Sequence, residues 1–356
     1  MKYTQEELNL ITLASFEELT YKNTALLLSD LRDTSPDFSK YENILIKSLG
    51  GGVYNKLKDR YNSEKYRAKL ISRLEDKGIK CVTYFSEDYP VQLKNTPCPP
   101  LVLFCKGNTE LLKDRLFAVV GSRRTLPNIV KECKKVSREL SEKFTVVSGL
   151  ADGGDSAALE GALERGKAIS VLAYGFDHVY PAVNEALMKR VEKNGLLITE
   201  YTPQVAPTKY NFPVRNRIIA GLCEGALIVS AGSRSGAAIT AKYALEYDRR
   251  VFVFPYTIGV ASGEGCNELI KEGATLVTGV KDIYSDFGIE YEERRQVELS
   301  QEEESVLKLI SDAGEAFAAD VAENLGKLPF QIIPLLSALE IKGRIVRLGG
   351  NRYAAL

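Results

Sequence analysis

From about residue 78 to residue 272, short apolar runs rich in β-branched residues alternate with stretches of helical periodicity. Several of these runs are continuously apolar, which is typical of strands that are covered on both faces. An alternation of this length predicts a parallel, doubly wound sheet with right-handed crossovers. The predicted strands span 80–85, 101–107, 116–122, 144–150, 168–175, 196–201, 225–231 and 250–256. The predicted helices span 127–142, 155–166, 183–194, 216–223, 236–248 and 265–272.

Two smaller regions flank the predicted sheet. Residues 1–65 contain three stretches with apolar residues at helical spacing, which predicts a small helical domain. Residues 288–300 are charged and show no periodicity, so we expect a linker there. Residues 301–356 contain three helical stretches and then two short strands around Gly349-Gly350, an order that is typical of a winged helix. We therefore expect a central α/β domain, at 66–287, between two smaller domains.

The composition disfavours several classes of protein. The chain carries 47 basic and 47 acidic residues, so any nucleic-acid site must be a local concentration of positive charge. No apolar run is long enough for a transmembrane helix, and the N-terminus carries acids where an export signal needs an apolar core. The six cysteines show no C-x-x-C spacing, which favours reduced thiols and a cytoplasmic location without a membrane partner. The single histidine, His178, disfavours a zinc site and a histidine-dependent nucleophile.

Four segments at the ends of the predicted strands and helices suit an anion. Ligands of doubly wound sheets bind beyond the carboxyl ends of the strands, where small residues, hydroxyls and arginines can contact phosphate. The steric need for glycine at strand-to-helix turns also explains each turn taken singly. We expect the four segments to converge on one edge of the sheet. The candidate residues are Gly121, Ser122 and Arg123 in the first segment, Ser148 and Gly149 in the second, Arg234, Ser235, Gly236 and Thr240 in the third, and Lys209, Phe212, Arg215, Asn216 and Arg217 in the fourth.

The fourth segment, KYNFPVRNRIIAGL at 209–222, has two interpretations. Arg215 and Arg217 flank Asn216 shortly after Phe212, and planar guanidinium groups match phosphate oxygens while a ring can stack on a nucleobase. Alternatively, the arginines pair with carboxylates elsewhere in the fold, because charged groups are rarely buried unpaired. The expected position at a ligand-binding edge favours the first interpretation, although one of the two arginines can still hold the loop through a carboxylate.

No motif for a cofactor or for catalysis is present. The sequence contains neither G-x-G-x-x-G nor G-x-x-x-x-G-K-[ST], which disfavours NAD and ATP, and no carboxylate–lysine arrangement points to a reaction. In the second segment, Asp152 and Asp155 oppose phosphate binding because they can cap the following helix themselves. We therefore expect no cofactor, no metal and no enzyme activity.

Short motifs are distributed over most of the chain. They are Tyr89-Pro90 with Leu93, Pro99–Phe104, Val120–Arg123, Ser148–Ala151 with Gly153 and Asp155, Gly175–Pro181, an unbroken FP-x-RNRIIAGL from Phe212 to Leu222, Ser235–Ala241, Gly265–Ala274 and Leu339–Gly343. Together they resemble the motifs of the DprA/Smf family of DNA-processing proteins. The resemblance implies an extended Rossmann fold at 66–287, a SAM-like helical domain at 1–65 and a winged helix at 301–356. It also implies a cytoplasmic homodimer that binds and protects single-stranded DNA and loads RecA on it in natural transformation, without catalysis.

Four residues depart from the pattern of that family. Asp152 stands where arginine is usual, Leu159 where histidine is usual, Ser230 where an acid is common and Tyr256 where glycine is usual. These departures keep open a nucleotide-sensing relative that has kept the fold and changed its ligand. A LOG-type nucleotide hydrolase is disfavoured, because the comparable turn, SAGSRSGAAIT at 230–240, lacks the glutamate on which those enzymes depend.

The C-terminal region has an acidic balance. Residues 298–356 contain six basic and nine acidic residues, and Pro334 interrupts the third helical stretch. Winged helices that recognise duplex DNA place this helix in the major groove. The charge and the proline therefore favour a protein contact or a packing role over duplex recognition.

Overall fold

The computed structural model describes residues 3–29, 39, 42–233, 235–291 and 299–355. The candidate residue Arg234 and most of the expected linker, residues 292–298, lie outside the described residues. The chain divides into two compact units, Met1–Ile289 and Glu290–Leu356. No helix in the described part of the chain is both long and apolar enough to cross a bilayer.

The first unit is built on one sheet of nine strands. These are β1 (Lys80–Thr83), β2 (Val102–Gly107), β3 (Leu116–Gly121), β4 (Thr145–Ser148), β5 (Ala168–Val171), β6 (Leu196–Thr199), β7 (Gly225–Ser230), β8 (Arg250–Val253) and β9 (Thr275–Leu276). They lie in the order β1-β2-β6-β5-β4-β3-β7-β8-β9. The seven strands from β6 to β9 are parallel, and β2 and β1 extend the sheet in antiparallel pairing. The expected mostly parallel, doubly wound sheet is confirmed.

Thirteen helices accompany this sheet in the described residues of the first unit. They are α1 (Gln5–Ala14), α2 (Tyr21–Ser29), α3 (Glu42–Leu49), α4 (Gly51–Tyr61), α5 (Glu64–Asp76), α6 (Val91–Lys94), α7 (Pro127–Leu140), α8 (Gly154–Leu163), α9 (Glu185–Asn194), α10 (Asn211–Leu222), α11 (Gly236–Glu246), α12 (Glu264–Lys271) and α13 (Val280–Asp286). α10 begins at Asn211 rather than at 216, because Pro213 lies in its first turn, where the missing N–H has no helical partner to lose. β9 and α13 were not predicted; β9 has only two residues, both exposed.

The strand order reverses between β3 and β7, and this reversal positions the site. From β3 the chain continues to β4, β5 and β6 on one side, and later to β7, β8 and β9 on the other. Along β3, Ala118 and Val120 share a core with Ile219 of α10, whereas Phe117, the residue before Ala118, packs against Phe144, with 5.4 Å between ring centroids. Since successive side chains of a strand point to opposite faces, β3 is covered on both. A crevice at such a reversal is the usual ligand site of an open α/β sheet.

A bulge lies at this reversal, where β3 and β7 end. Val120 pairs with Ile228, but the next residue, Gly121, pairs with Ser230, so that Val229 is an extra residue. The carbonyl of Val229 accepts a hydrogen bond of 2.9 Å from the hydroxyl of Tyr256. A bulge frees one residue from the ladder and bends the strand, and here the tyrosine satisfies the carbonyl of that residue.

The N-terminal helices share a core with the sheet. This core combines buried residues of α1, such as Leu10 and Leu13, with Leu74 of α5 and with Val102 and Phe104 of β2. The predicted domain boundary at 65/66 falls in the first turn of α5, and residues 1–65 are part of the first compact unit. α1 and α5 therefore pack against β2, and the interpretation of residues 1–65 as a separate domain stays a prediction.

The described residues of the second unit form three helices and a small sheet. Its helices are α14 (Gln301–Ala313), α15 (Ala318–Asn324) and α16 (Pro329–Ile341), and its strands are β10 (Glu315–Phe317), β11 (Ile345–Leu348) and β12 (Arg352–Ala355), in the order β10-β12-β11. The predicted helices and the predicted hairpin are present. A capping box at Ser300 begins α14, which fixes its start at the predicted residue. The interpretation as a winged helix stays a prediction.

Candidate nucleic-acid interface

A cavity of about 310 Å³ lies at the strand reversal, and we call it the switch-point cavity. Its wall comes from the end of β3, the turn before α8, the first turns of α10 and the start of α11. The lining residues are Val120, Gly121, Ser122, Arg123, Ala151, Asp155, Phe212, Pro213, Arg215, Asn216, Ile219, Ser235, Gly236, Ala237 and Thr240. Three of the four predicted segments therefore line one cavity, and the second predicted segment contributes its neighbours Ala151 and Asp155.

The floor of the cavity is made of closely packed backbone. A Cβ atom added to Gly121 would lie 2.8 Å from the Cα of Gly154 and 2.7 Å from a side-chain carbon of Val229. The Asp155 carboxylate accepts hydrogen bonds from the amides of Gly121 (3.1 Å) and Ala151 (3.4 Å). The start of α8 thus already holds a carboxylate, as the sequence suggested for Asp155, and the opposition of this turn to phosphate has a structural basis.

Arg215 connects α10 to the ends of two strands. It is 3% exposed, and its Nη1 donates to the carbonyl of Gly149 at 2.6 Å and to the carbonyl of Val171. Its Nε donates to the Oδ1 of Asn216 at 3.1 Å. A Cβ on Gly149 would lie 2.5 Å from both the Nη2 of Arg215 and the Oδ2 of Asp155, so only glycine fits between these two groups. Arg215 therefore shapes the wall of the cavity as well as lining it.

Arg217 points away from the cavity, which corrects the prediction that both arginines line one groove. It is 2% exposed and forms an ion pair with Glu200, and its Nη1 donates to the carbonyl of Cys98. Its guanidinium also lies 5.3 Å from the ring centroid of Tyr21 in α2. Residues two apart on a helix do not share a face, so Arg215 and Arg217 reach different surroundings. The alternative interpretation, an arginine held by a carboxylate, applies to Arg217.

An exposed arginine lies over two rings at the mouth of the cavity. The guanidinium carbon of Arg123 is 5.6 Å from the ring centroid of Phe212 and 5.8 Å from that of Tyr180. The two rings are 5.4 Å apart. We call these three residues the Arg123 cluster. Tyr180 is not among the predicted site residues. The Tyr-Pro pair at the end of the 175–181 motif is the sequence feature that could have indicated it.

The start of α11 forms the opposite wall. Ser235 caps this helix by accepting from the amide of Ala238 at 3.3 Å, and the Thr240 hydroxyl donates to the carbonyl of Gly236 at 3.3 Å. Asn216 joins α10 to α11 through a hydrogen bond of 3.0 Å from its side chain to the carbonyl of Gly236. The first amides of a helix have no partner within the helix, so the start of α11 offers donors that an anion can use.

Three further predicted residues have different surroundings. The hydroxyl of Ser122 lies 2.8 Å from that of Ser230 and so joins the end of β3 to the end of β7. Ser148 is fully buried, and its hydroxyl donates to the carbonyl of Val119 at 2.7 Å, which is a structural contact beneath the cavity. Lys209 is exposed, and its ammonium lies 5.1 Å from the ring centroid of Tyr210. Neither Ser148 nor Lys209 is among the cavity-lining residues.

Burial controls the electrostatics of the two arginines and their acidic neighbours. Burial raises the pKa of the Asp155 carboxyl, whereas the nearby Arg215 and the amide of Gly121 act in the opposite direction. Burial lowers the pKa of Arg215, and Asp155 opposes this change. Burial likewise raises the pKa of Glu200, against the effect of Arg217. Removal of one partner would leave a buried, uncompensated charge in either case.

The fold and the cavity define an extended Rossmann-like protein with a ligand crevice at its strand reversal. A model of the family described as DNA recombination-mediator protein A matches residues 80–288. The chain belongs to this family, whose relatives are the DNA-processing proteins DprA and Smf.

Similar proteins and structures cover much of the chain. DprA from Streptococcus pneumoniae is 43% identical over 200 residues, which cover 56% of this chain and 71% of the relative. A putative DprA from Mycobacterium tuberculosis is 36% identical over 317 residues, which cover 80% and 82% of the two chains. The X-ray structure of S. pneumoniae DprA superposes with a TM-score of 0.68 and 32% identity over 82% of this chain and all of that one. A structure of Helicobacter pylori DprA that addresses its single-stranded DNA binding mode gives a TM-score of 0.53 and 29% identity, over 59% of this chain and 95% of that one.

Proposed function

We propose that this protein binds single-stranded DNA, without sequence preference, at the switch-point cavity. The observation that carries the proposal is the Arg123 cluster, in which an exposed guanidinium lies within 6 Å of the ring centroids of Tyr180 and Phe212. Tyr180 is exposed and Phe212 is half-buried. Accessible rings beside an arginine suit a single strand, because its base faces are free to stack and its phosphates are accessible. The similarity to H. pylori DprA, whose structure concerns a single-stranded DNA binding mode, supports the same ligand class.

The parts of the site have separate tasks in this proposal. Tyr180 and Phe212 stack on bases, Arg123 neutralises a phosphate, and the start of α11 donates amide hydrogen bonds to a second phosphate. Arg215 and Asp155 are mostly engaged with protein atoms, so they hold the wall in shape rather than supply a mobile charge. Because no contact in this arrangement depends on the edge of a base, the site accepts any sequence.

We also propose the wider role that the family suggests. The protein protects DNA during recombination and natural transformation, delivers it to the RecA recombinase, acts as a homodimer in the cytoplasm and catalyses no reaction. The description of the family as recombination mediators supports delivery to a recombinase. The second unit serves as a protein contact, which its surplus of acidic residues supports.

The test compares Arg123→Ala with Arg124→Ala. Arg124 is the next residue, is exposed and is not among the cavity-lining residues, so it controls for loss of one positive charge. We expect Arg123→Ala to weaken binding of labelled oligo-dT by about tenfold in anisotropy at fixed salt, because the variant loses one phosphate contact and the cation–π contacts with both rings, which contribute about 0.5 to 2 kcal/mol. The slope of the logarithm of the affinity against the logarithm of the salt concentration should become less steep by about 0.7, the value for one phosphate on a single strand.

Equal affinity of wild type, Arg123→Ala and Arg124→Ala would overturn the proposal. A cavity of about 310 Å³ also has the size of a small-ligand site, which favours a nucleotide sensor as a second candidate. Competition by nucleoside monophosphates distinguishes the two. Displacement of oligo-dT only by longer oligonucleotides supports a DNA site, whereas tight binding of a mononucleotide without affinity for oligo-dT would support a sensor. Release of free base from the mononucleotide would instead indicate a hydrolase.

A further inference from the structure

The N-terminal helices carry a local concentration of positive charge. Between residues 56 and 80 the sequence has nine Lys and Arg against four Asp and Glu, whereas the whole chain has 47 of each. Lys65, Lys69, Arg73 and Lys77 recur at every fourth position along α5 and its C-cap, and we call them the basic stripe. Residues four apart lie on the same helix face, so the stripe forms one row of charge.

One end of the basic stripe is attached to a loop of the proposed DNA site. Lys77 forms an ion pair with Asp177, and the Nη2 of Arg73 lies 3.6 Å from the Oδ2 of the same residue. Asp177 belongs to the loop that also supplies Tyr180 of the Arg123 cluster. Its amide donates to the carbonyl of Pro203 at 2.9 Å, which fixes the loop against the segment after β6. One end of the basic stripe is therefore held by the loop that carries Tyr180.

The other end of the basic stripe has no acidic partner. Arg60 is paired with Glu18 at 3.3 Å, but in the described part of the chain neither Lys65 nor Lys69 has a carboxylate within ion-pair distance. Both lysines are exposed. The two ammonium groups lie on one helix face, and no carboxylate of the described residues neutralises them. They therefore attract a polyanion.

A groove of about 510 Å³ runs beside the basic stripe. Arg60, Lys69 and Arg73 line it together with Tyr66 and Gln204, and Glu17 and Glu18 contribute the acidic side. The groove thus combines three cations with a tyrosine and an amide. The amide belongs to Gln204, which follows Pro203, the residue whose carbonyl holds the loop of Tyr180. This composition suits a phosphate backbone better than an apolar ligand.

We propose that the basic stripe and this groove form a second contact for the phosphate backbone of the same DNA strand that enters the switch-point cavity. The inference rests on the proposed function. Lysines bind phosphates without reading bases, so the second contact is independent of sequence. A strand longer than the cavity engages both places, and the second engagement is intramolecular, which raises the affinity for long strands over short ones.

The test reverses two charges at the free end of the stripe in the full-length protein. Lys65→Glu with Lys69→Glu is compared with Lys135→Glu with Lys143→Glu, two exposed lysines that are not among the residues lining either cavity. Lys135 lies within α7, and Lys143 lies just before β4, at the opposite end of that strand from the switch-point cavity. Anisotropy is measured with oligo-dT of two lengths. A length of about 6 nucleotides lies near the lower limit of the usual site size of about 4 to 16 nucleotides, and a length of about 30 nucleotides exceeds that range. We expect the stripe variant to bind the long oligonucleotide about tenfold more weakly and with a salt slope reduced by about 1.4, and to bind the short one like wild type.

Each other outcome identifies a different error. An unchanged affinity of the stripe variant for the long oligonucleotide, or an equal loss for long, short and control proteins, would overturn the second contact while the cavity site stands. Failure of the wild-type protein to bind either oligonucleotide would overturn the proposed function and this inference with it. If the stripe variant lost binding to phosphatidylcholine vesicles that contain phosphatidylserine, and kept its affinity for DNA, the stripe would be assigned to a membrane surface instead.

Discussion

The two faces of α10 place similar arginines in different surroundings. On one face, Arg215 contacts carbonyl oxygens and lies beside Asp155 at the wall of an open cavity. On the other face, Arg217 is paired with Glu200 beneath the ring of Tyr21, and it is not among the residues that line the cavity. Both are almost fully buried, so exposure does not distinguish them. The difference shows that a compact motif can divide its charges between the wall of a cavity and the internal scaffold.

The largest effect is expected at the scaffold face. Arg217→Ala leaves Glu200 buried without its partner, which should lower the free energy of unfolding by about 3 to 5 kcal/mol. Urea unfolding followed by circular dichroism measures this loss, and oligo-dT affinity of the folded fraction should stay at the wild-type level. Replacement of both residues, Arg217→Met with Glu200→Met, should recover most of the stability. A strong loss of DNA affinity in this stable double variant would place Arg217 in the proposed DNA site. The two faces of α10 would then not differ in role.

Arg215→Ala should affect stability and binding together. Its removal leaves the carbonyl groups of Gly149 and Val171 without this donor and the buried Asp155 without its nearby cation. The cost should be about 3 kcal/mol, because Asp155 keeps its hydrogen bonds from backbone amides. The wall of the cavity loses its support at the same time, so oligo-dT affinity should fall about tenfold under conditions where the variant is folded. If Arg215→Ala kept full affinity while losing stability, the two faces of α10 would have the same scaffold role.

Gly149→Ala separates the shape of the wall from its charge. The added methyl group would lie 2.5 Å from both Arg215 and Asp155, so these groups must move although neither is removed. We expect a loss of about 2 kcal/mol in unfolding free energy, as for other overpacked sites, and a weaker oligo-dT complex. Gly52→Ala, at a helical glycine with open space around its Cβ, is the matched control. It should leave oligo-dT affinity unchanged and raise the unfolding free energy by about 0.4 to 1 kcal/mol rather than lower it.

Ser235→Ala should give the smallest change. Loss of the cap of α11 costs about 1 kcal/mol, and Ser235→Gly should cost only a few tenths, since glycine is tolerated at this position. Oligo-dT affinity should fall only a few-fold, because the amides of α11 remain in place. A loss as large as that of Arg123→Ala would show that the serine hydroxyl, rather than the helix start, contacts the DNA.

The sequence was sufficient for the sheet and for the location of the cavity. Runs such as LFAVVGS at 116–122 are apolar on both faces, and this pattern has one common explanation in an α/β fold. The glycine-rich turns then follow from the strand ends. The sequence does not distinguish the antiparallel strands β1 and β2 from the parallel strands, because the apolar runs of buried antiparallel and parallel strands look alike.

Other parts of the site depended on contacts between distant residues. The roles of Arg215 and Arg217 depend on Asp155 and Glu200, and no local pattern links these positions. Tyr180 lies far from Phe212 in sequence, so its packing against that ring required the fold. The burial of Ser148 beneath the cavity likewise reflects its direction on β4, which the motif does not specify.

The bulge at Val229 gives β7 an odd residue count relative to β3. Side chains alternate between the two faces of a strand. One extra residue therefore moves every later side chain of β7 to the face opposite the one that an unbroken ladder would give it. Ser230, the first paired residue after the bulge, contacts the hydroxyl of Ser122. Deletion of Val229 would restore a regular ladder in which Ser230 still pairs with Gly121. It would remove the acceptor of the Tyr256 hydroxyl, so the extra residue and this tyrosine depend on each other.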